Sequence, residues 1–407
     1  MRNILCAFIA TLCLLPWRGE ACTSIIISGK ATPDGRPLMW KHRDTGAANN
    51  HIVYFDEGGY RFLGLVNSSK KGSRAVWNGT NETGFSIMNT ASYNLKDDDV
   101  KGMGREGTVM RKALTVCKTV DDFAHFLDTL PRPMRVEANF GVIDAYGGAA
   151  YFETNNTRYY KKDVNDPNVA PDGYLIYTNF SREGREDEGK GYIRYETARK
   201  LFQEMRADGF TPHHILQRIS RSFYHSLLGI DLKDAAQSPN NHTGWVVDQD
   251  FIPRVNSTAA IVVQGVKPGM NPELTTMWTV LGYPPTSVAI PLWVKMGAKQ
   301  PAWVLYDESR ETAPLNAYAD RLEKNARPIQ RGNGQQYLYW QALWNDEGTG
   351  YMQRLQPVED EIFALFDAHK AEWERTDALD TETITQLYER MDTILDKAFR
   401  ELTTSSL

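Results

Sequence analysis

Ala21-Cys22-Thr23-Ser24-Ile25-Ile26-Ile27 is the stretch on which the chain turns, because it joins an export signal to a cysteine at the head of a β-branched run. Cleavage before Cys22 leaves a mature chain that begins with a thiol. Such a residue carries nucleophile and base together: the thiol attacks, and the free α-amine, with a reference pKa of about 7.7–8.0, accepts its proton near neutral pH. Upstream, Met1-Arg2-Asn3 is a short basic start, and residues 4–15 are apolar but too short for a stable membrane anchor. Gly19-Glu20-Ala21 puts small residues at the two positions a signal peptidase reads. Residues 1–21 therefore read as a signal peptide, and the protein as exported, to the periplasm or the medium. The competing reading is a lipoprotein signal, with Cys22 acylated as an anchor. Gly19, where such signals carry a leucine-like residue, and the neighbouring Glu20 speak against it.

Outward from this stretch, Pro33-Asp34-Gly35 is a tight turn that returns the chain into Pro37-Leu38-Met39-Trp40. The second strand of that hairpin ends in Lys41-His42-Arg43-Asp44, which delivers cations and a carboxylate back towards Cys22. Charges there can hold the amine and lower the thiol pKa. His42 beside Asp44 suggests a thiol-protease dyad, but strand alternation turns neighbours to opposite faces. Strands follow at 51–55 and 60–66, then the turn Asn81-Glu82-Thr83-Gly84 and a strand that ends near Asn89. The polar, glycine-punctuated run 96–106 reads as an exposed loop near the site entrance.

Two helices come next, one carrying Cys117 on a stripe with Met110, Ala113 and Leu114, the other capped by Thr119. Tyr146-Gly147-Gly148 marks a hairpin between 138–144 and 149–153. The strand 174–179 ends on Asn179, and a helix over 192–205 begins with Arg194. Two further strands are expected at 258–264 and 275–281, and the proline- and aromatic-rich 283–294 as a pocket wall. Beyond about 316 the periodicity turns helical, with stripes at Val358, Ile362, Leu365, Phe366 and at Ile384, Leu387, Tyr388, Met391, Leu395. Hairpins grouped in blocks, without βαβ alternation, imply an α+β protein of sheets stacked between helices.

Composition narrows the partner. With 46 Lys and Arg against 51 Asp and Glu, interspersed, the chain lacks the basic surface that nucleic acid requires. No second long apolar run follows the leader, so no membrane span is expected. Four cysteines are present, of which Cys6 and Cys13 depart with the leader; Cys117 reads as a small core hydrophobe rather than a disulfide partner for Cys22. His213-His214 has no partner at metal spacing, and the chemistry calls for no cofactor.

Taken in order, Cys22, Lys41-His42-Arg43-Asp44, Asn81-Glu82-Thr83-Gly84, Thr178-Asn179 and Arg194-Tyr195-Glu196 resemble the N-terminal-nucleophile hydrolases of the choloylglycine hydrolase and penicillin V acylase type, and the related isopenicillin N acyltransferase group. The resemblance spans roughly 22–294. It leaves the tail unmatched, which the periodicity reads as a C-terminal helical extension over 306–407, and implies an αββα sandwich over 22–305 and cleavage of linear, non-peptide amide bonds in a small-molecule substrate through an acyl-cysteine. Carried over, Cys22 is nucleophile and base, Asp44 orients the amine, Asn179 serves the oxyanion, and Arg194 supports the site. Lys41 stands where the family has arginine; lysine lacks the planar fork, and Arg43 is the other candidate for that role. The second oxyanion donor is Asn89, reached by a two-residue shift that preserves its face, although ungapped alignment points to Ala91. Hydrolysis and acyl transfer differ only in what resolves the thioester. A lipid-anchored binding protein is the non-enzymatic alternative.

Overall fold

The computed structural model describes residues 21–69 and 72–404, so the signal-peptide reading of residues 1–21 lies, apart from Ala21, outside the described residues. The fold starts as its apolar run dictates. β1 (Ala21–Ile27) is buried on both faces and turns through Asp34-Gly35 into β2 (Leu38–Asp44). The Asp34 carboxylate accepts the Arg36 N–H, and Gly35 takes the positive φ that the turn needs.

A seven-stranded antiparallel meander follows in sequence order, each strand hydrogen-bonded to the next: β3 (Asn50–Phe55), β4 (Phe62–Asn67), β5 (Asn78–Asn81), β6 (Ser86–Ala91), β7 (Ala138–Ile143), β8 (Ala149–Thr154) and β9 (Tyr159–Asp163). The first sheet is completed by β10 (Tyr174–Tyr177) on one side of β1. On the other side of β2 lie β11 (Ser257–Gln264), β12 (Thr276–Leu281) and β13 (Ile290–Leu292). All its pairings are antiparallel, and the six strands run in the order β10-β1-β2-β11-β12-β13.

The sheets pack face to face. Ser24 on β1 shares a hydrogen bond with Tyr151 on β8, and Gly141 on β7 leaves just the room that the Ile26 and Met88 side chains occupy. Outside the meander lie α1 (Glu106–Val116) and α2 (Val120–Thr129), the latter started by a capping box between Thr119 and Asp122. Phe123 of α2 packs edge-on against Phe140 and Phe152. Outside the six-stranded sheet, α3 (Tyr192–Met205) sets Phe202 against Trp40. The architecture is the αββα sandwich.

The tail is helical as its stripes require, with α4 (Pro314–Ala326), α5 (Tyr351–Thr376) and α6 (Thr381–Thr404). It joins the core of the six-stranded sheet: Phe363 stacks on Trp278, Trp373 meets Trp293 edge-on, and Glu359 forms a two-pronged ion pair with Arg221. Removing it would strip two tryptophans of their cover. The proline-rich stretch is divided: Tyr283, Ile290, Leu292 and Trp293 are fully buried in that same core, whereas Pro285 and Val294 line cavity walls.

Candidate active site

Strand alternation divides the functional residues between the two faces of the β1–β2 hairpin. Cys22 is paired in register with Arg43, and Ser24 with Lys41; this face looks at the meander, as the contact of Ser24 with Tyr151 shows. Thr23 pairs with His42 and Ala21 with Asp44 on the opposite, helix-covered face. Thiol and carboxylate therefore lie on opposite sides of one ribbon.

Cys22 itself is 5% exposed. Its backbone N–H donates to Asn179 Oδ1 at 3.1 Å. The Arg194 guanidinium closes the arrangement, donating to Asn179 Oδ1 at 2.7 Å, to the Cys22 carbonyl at 2.8 Å and to Thr23 Oγ1 at 2.8 Å. One residue from β10's end and one from the first turn of α3 thus fix the nitrogen and the carbonyl of Cys22. Burial pushes the Arg194 pKa down to about 10, the Arg254 charge adds to the fall, and Asp44 and Cys22 oppose it, so the guanidinium stays cationic at neutral pH.

The cations on the thiol face have separate tasks. The Arg43 fork spans two strands of the meander, donating to Asn50 Oδ1 and, at 2.8 Å, to Asn67 Oδ1, and it lies over the Trp77 ring at 5.2 Å. Lys41 Nζ donates to the Trp77 carbonyl at 2.7 Å and to Asn89 Oδ1 at 2.8 Å. Asn89 is thereby brought to the hairpin with its oxygen occupied and its amide hydrogens unassigned to any acceptor among the described residues. Ala91 contributes its backbone carbonyl, which accepts from Asn179 Nδ2 at 2.9 Å. Asn179, which the resemblance gives to the oxyanion, here accepts the Cys22 N–H at Oδ1 and donates one amide hydrogen to the Ala91 carbonyl.

On the other face Asp44 is fully buried. Both its oxygens are held: Arg254 donates to Oδ2 from Nε and Nη2 at 3.0 and 2.8 Å, and Ser257 Oγ donates to Oδ1 at 2.7 Å. Burial works against the Arg254 charge, yet the Asp44 carboxylate beside it raises the guanidinium pKa overall. Two residues apart, His42 and Asp44 share a face, contrary to the expectation that alternation separates them, and His42 Nε2 lies 3.7 Å from Asp44 Oδ1; it is the thiol of Cys22 that lies on the other face. His42 Nε2 pairs with Ser257 Oγ at 2.9 Å, and burial pushes its pKa down to about 4, against the pull of Asp44, so it is neutral at pH 7. Cys117 is free and embedded in the α1–α2 core, where burial pushes its thiol up to about 12.

Arg254 and Ser257 escaped the sequence reading. The signal lay in the register of β2 against β11, which pairs Asp44 with Ser257 across more than two hundred residues.

With Cys22 near the start of β1 in an αββα sandwich, the chain is similar to the N-terminal-nucleophile hydrolases. Residues 33–232, just under half of the chain, match the family model described as acyl-coenzyme A:6-aminopenicillanic acid acyl-transferase; Cys22 precedes the matched stretch. Among solved structures, the chain is similar to an N-acylethanolamine-hydrolyzing acid amidase ortholog of Caenorhabditis elegans, with 14% identity, 62% of this chain and 94% of that chain covered, and a TM-score of 0.42. It is also similar to a conjugated bile acid hydrolase of Clostridium perfringens, with 11% identity, coverages of 67% and 92%, and a TM-score of 0.39. Penicillin V acylase of Agrobacterium tumefaciens gives 10% identity, coverages of 67% and 85%, and a TM-score of 0.33. Comparison with curated proteins finds no match. No helix among the described residues is long and apolar enough to cross a membrane.

Proposed function

We propose that the chain is an exported cysteine amidohydrolase that cleaves a linear amide of a small molecule through an acyl-Cys22 thioester, after a signal peptidase has removed residues 1–21. The observation that carries this reading is the hold on Cys22: its nitrogen rests on Asn179 Oδ1 while Arg194 clamps that oxygen and the Cys22 carbonyl. A free amine in that place keeps its position when the peptide bond to Ala21 is gone. Loss of Ala21 also clears the position opposite Asp44, which then supports the ammonium form of the amine.

In the reaction the amine takes the Cys22 proton, and the thiolate attacks the amide carbonyl from the meander-facing side. Asn89, oriented by Lys41, donates to the oxyanion. The ammonium then passes its proton to the leaving nitrogen, and water resolves the thioester to acid and free cysteine. An acceptor amine in place of water makes the same enzyme an acyltransferase, a second reading favoured by the family model that matches 33–232. Both are tested by incubating mature protein with a panel of N-acyl amides, with and without an added amine. Acid release that depends on Cys22 supports the hydrolase, acyl transfer to the amine supports the alternative, and full activity of Cys22→Ala overturns both.

A further inference from the structure

The two most exposed large apolar side chains among the described residues are consecutive: Leu227 is 70% exposed and Leu228 61%. They form the tip of a small hairpin whose strands are Tyr224–His225 and Ile230–Asp231. A lone exposed leucine is ordinary, whereas two side by side on a fixed tip call for an occupant. Hydrogen bonds fix this tip. The Gly229 N–H donates to the His225 carbonyl at 2.9 Å, the Leu228 N–H donates to His225 Nδ1 at 3.3 Å, and Gly229 takes the positive φ that closes the turn. Below it, Phe223 and His225 pack on buried Phe251.

The hairpin is tied to the helix that holds the catalytic strand. Ser226 Oγ donates to the Ile193 carbonyl at 3.0 Å, and the Ser226 N–H donates to Thr197 Oγ1 at 3.1 Å, on either side of the Arg194 that clamps Cys22. Tyr192, in the same first turn of α3, is itself 39% exposed. The charges on this stretch of α3 are already matched: Arg199 pairs with Glu196 at 2.7 Å, and Lys200 Nζ lies 3.8 Å from Glu204 and 4.2 Å from the centre of the Tyr224 ring.

Two leucines and a tyrosine offer a small fraction of the roughly 800 Å² per partner that a stable protein interface buries, and leucine is under-represented among the residues that anchor such interfaces. A lipid bilayer needs no matching surface. It closes around a few apolar side chains, and tyrosine settles at the level of its headgroups. With the nearby charges paired, the attraction is hydrophobic and an uncharged bilayer suffices. No helix among the described residues is long and apolar enough to cross a membrane, so the contact is peripheral. We propose that the Leu227-Leu228 tip docks the protein on a zwitterionic lipid bilayer, with the first turn of α3 facing the headgroups. The docking does not rest on the catalytic reading.

The test is co-sedimentation of mature protein, which lacks the apolar leader, with vesicles of dioleoylphosphatidylcholine in about 0.1 M and about 0.5 M NaCl. It is repeated on Cys22→Ala, on the double variant Leu227→Ser/Leu228→Ser, and on Leu227→Trp. The expected result is a bound fraction that rises and saturates with lipid, equal at both salt concentrations and in Cys22→Ala. Partition is expected to be at least tenfold weaker in the serine variant and severalfold stronger in Leu227→Trp, whose indole favours the interface. Circular dichroism checks that the serine variant is folded; if it is not, Leu227→Trp still decides. Absence of sedimentation with vesicles, equal partition by a folded serine variant, unchanged partition by Leu227→Trp, or release at the higher salt overturns the inference. So does a vesicle-free dimer that the serine variant abolishes, since a second copy then covers the tip. Because Cys22→Ala is read by binding alone, failure of the catalytic reading leaves this outcome untouched.

Discussion

Among the described residues two cysteines are buried outside any disulfide, and their surroundings differ completely. Cys117 ends α1 inside an apolar cluster with Leu114, Val120 and Phe123, where burial disfavours the thiolate. Cys22 lies near the start of a strand whose polar neighbours, Asn179, Arg194, Arg43 and Lys41, come from three separate parts of the fold: the end of β10, α3 and β2. Burial alone makes a thiol inert; burial among fixed donors and charges makes it a candidate nucleophile.

The comparison can be broken most sharply at Cys22. Replacing it with alanine is expected to lower amide turnover by about 10³-fold or more, measured as kcat/KM, because nucleophile and thioester go together. Asn179→Ala removes the acceptor that fixes the amine and is expected to cost about 10²-fold in kcat, with the melting temperature near that of wild type. Asp44→Asn acts through stability as well. It leaves the Arg254 charge without its buried partner, at an expected cost of about 3 kcal/mol in urea denaturation, alongside reduced kcat.

A pH experiment sharpens the contrast between the two hairpin faces. The His42 pKa falls to about 4 in the fold from an ordinary 6.5, so the unfolded chain binds the extra proton between those values. Stability from this group is complete above pH 6.5 and is lost as pH falls towards 4, by up to about 1.4 kcal/mol per pH unit. His42→Asn is expected to flatten the urea midpoint against pH in that window. The smallest effect is reserved for Cys117→Ala, with full activity and a loss of about 1–2 kcal/mol from a shallow cavity. In step with this, iodoacetamide at pH 7.5 should label Cys22 in native protein and leave Cys117 unmodified until the chain unfolds.

Much of the fold was legible because its cues are local. The run at 23–27 with the turn at Asp34-Gly35, the Asn81-Glu82-Thr83-Gly84 turn, the Thr119 cap and the helix over Tyr192–Met205 each depend on a handful of neighbours in sequence. The heptad-like stripes of the tail were equally plain, but their destination was not, since nothing near Phe363 or Trp373 names Trp278 and Trp293 as partners. The site divides in the same way. Cys22, Arg43 and Asp44 follow from one hairpin, and alternation already separates their faces. Arg254 and Ser257 follow only from the pairing of β2 with β11, and the different tasks of Lys41 and Arg43 only from which meander strand each side chain reaches. The placement of the Asn179 side chain is likewise tertiary, set by Arg194 and the Ala91 carbonyl.

The most direct test is the mass of the N-terminal peptide of the protein produced from its full sequence in a host with a signal peptidase, before and after brief exposure to an N-acyl amide. The account predicts a chain that begins at Cys22 with an unmodified amine and gains the acyl mass on the thiol. A diacylglycerol or N-acyl adduct on Cys22 in the unexposed protein, or a chain still carrying Ala21, would contradict it, because the base would be blocked before any substrate arrived.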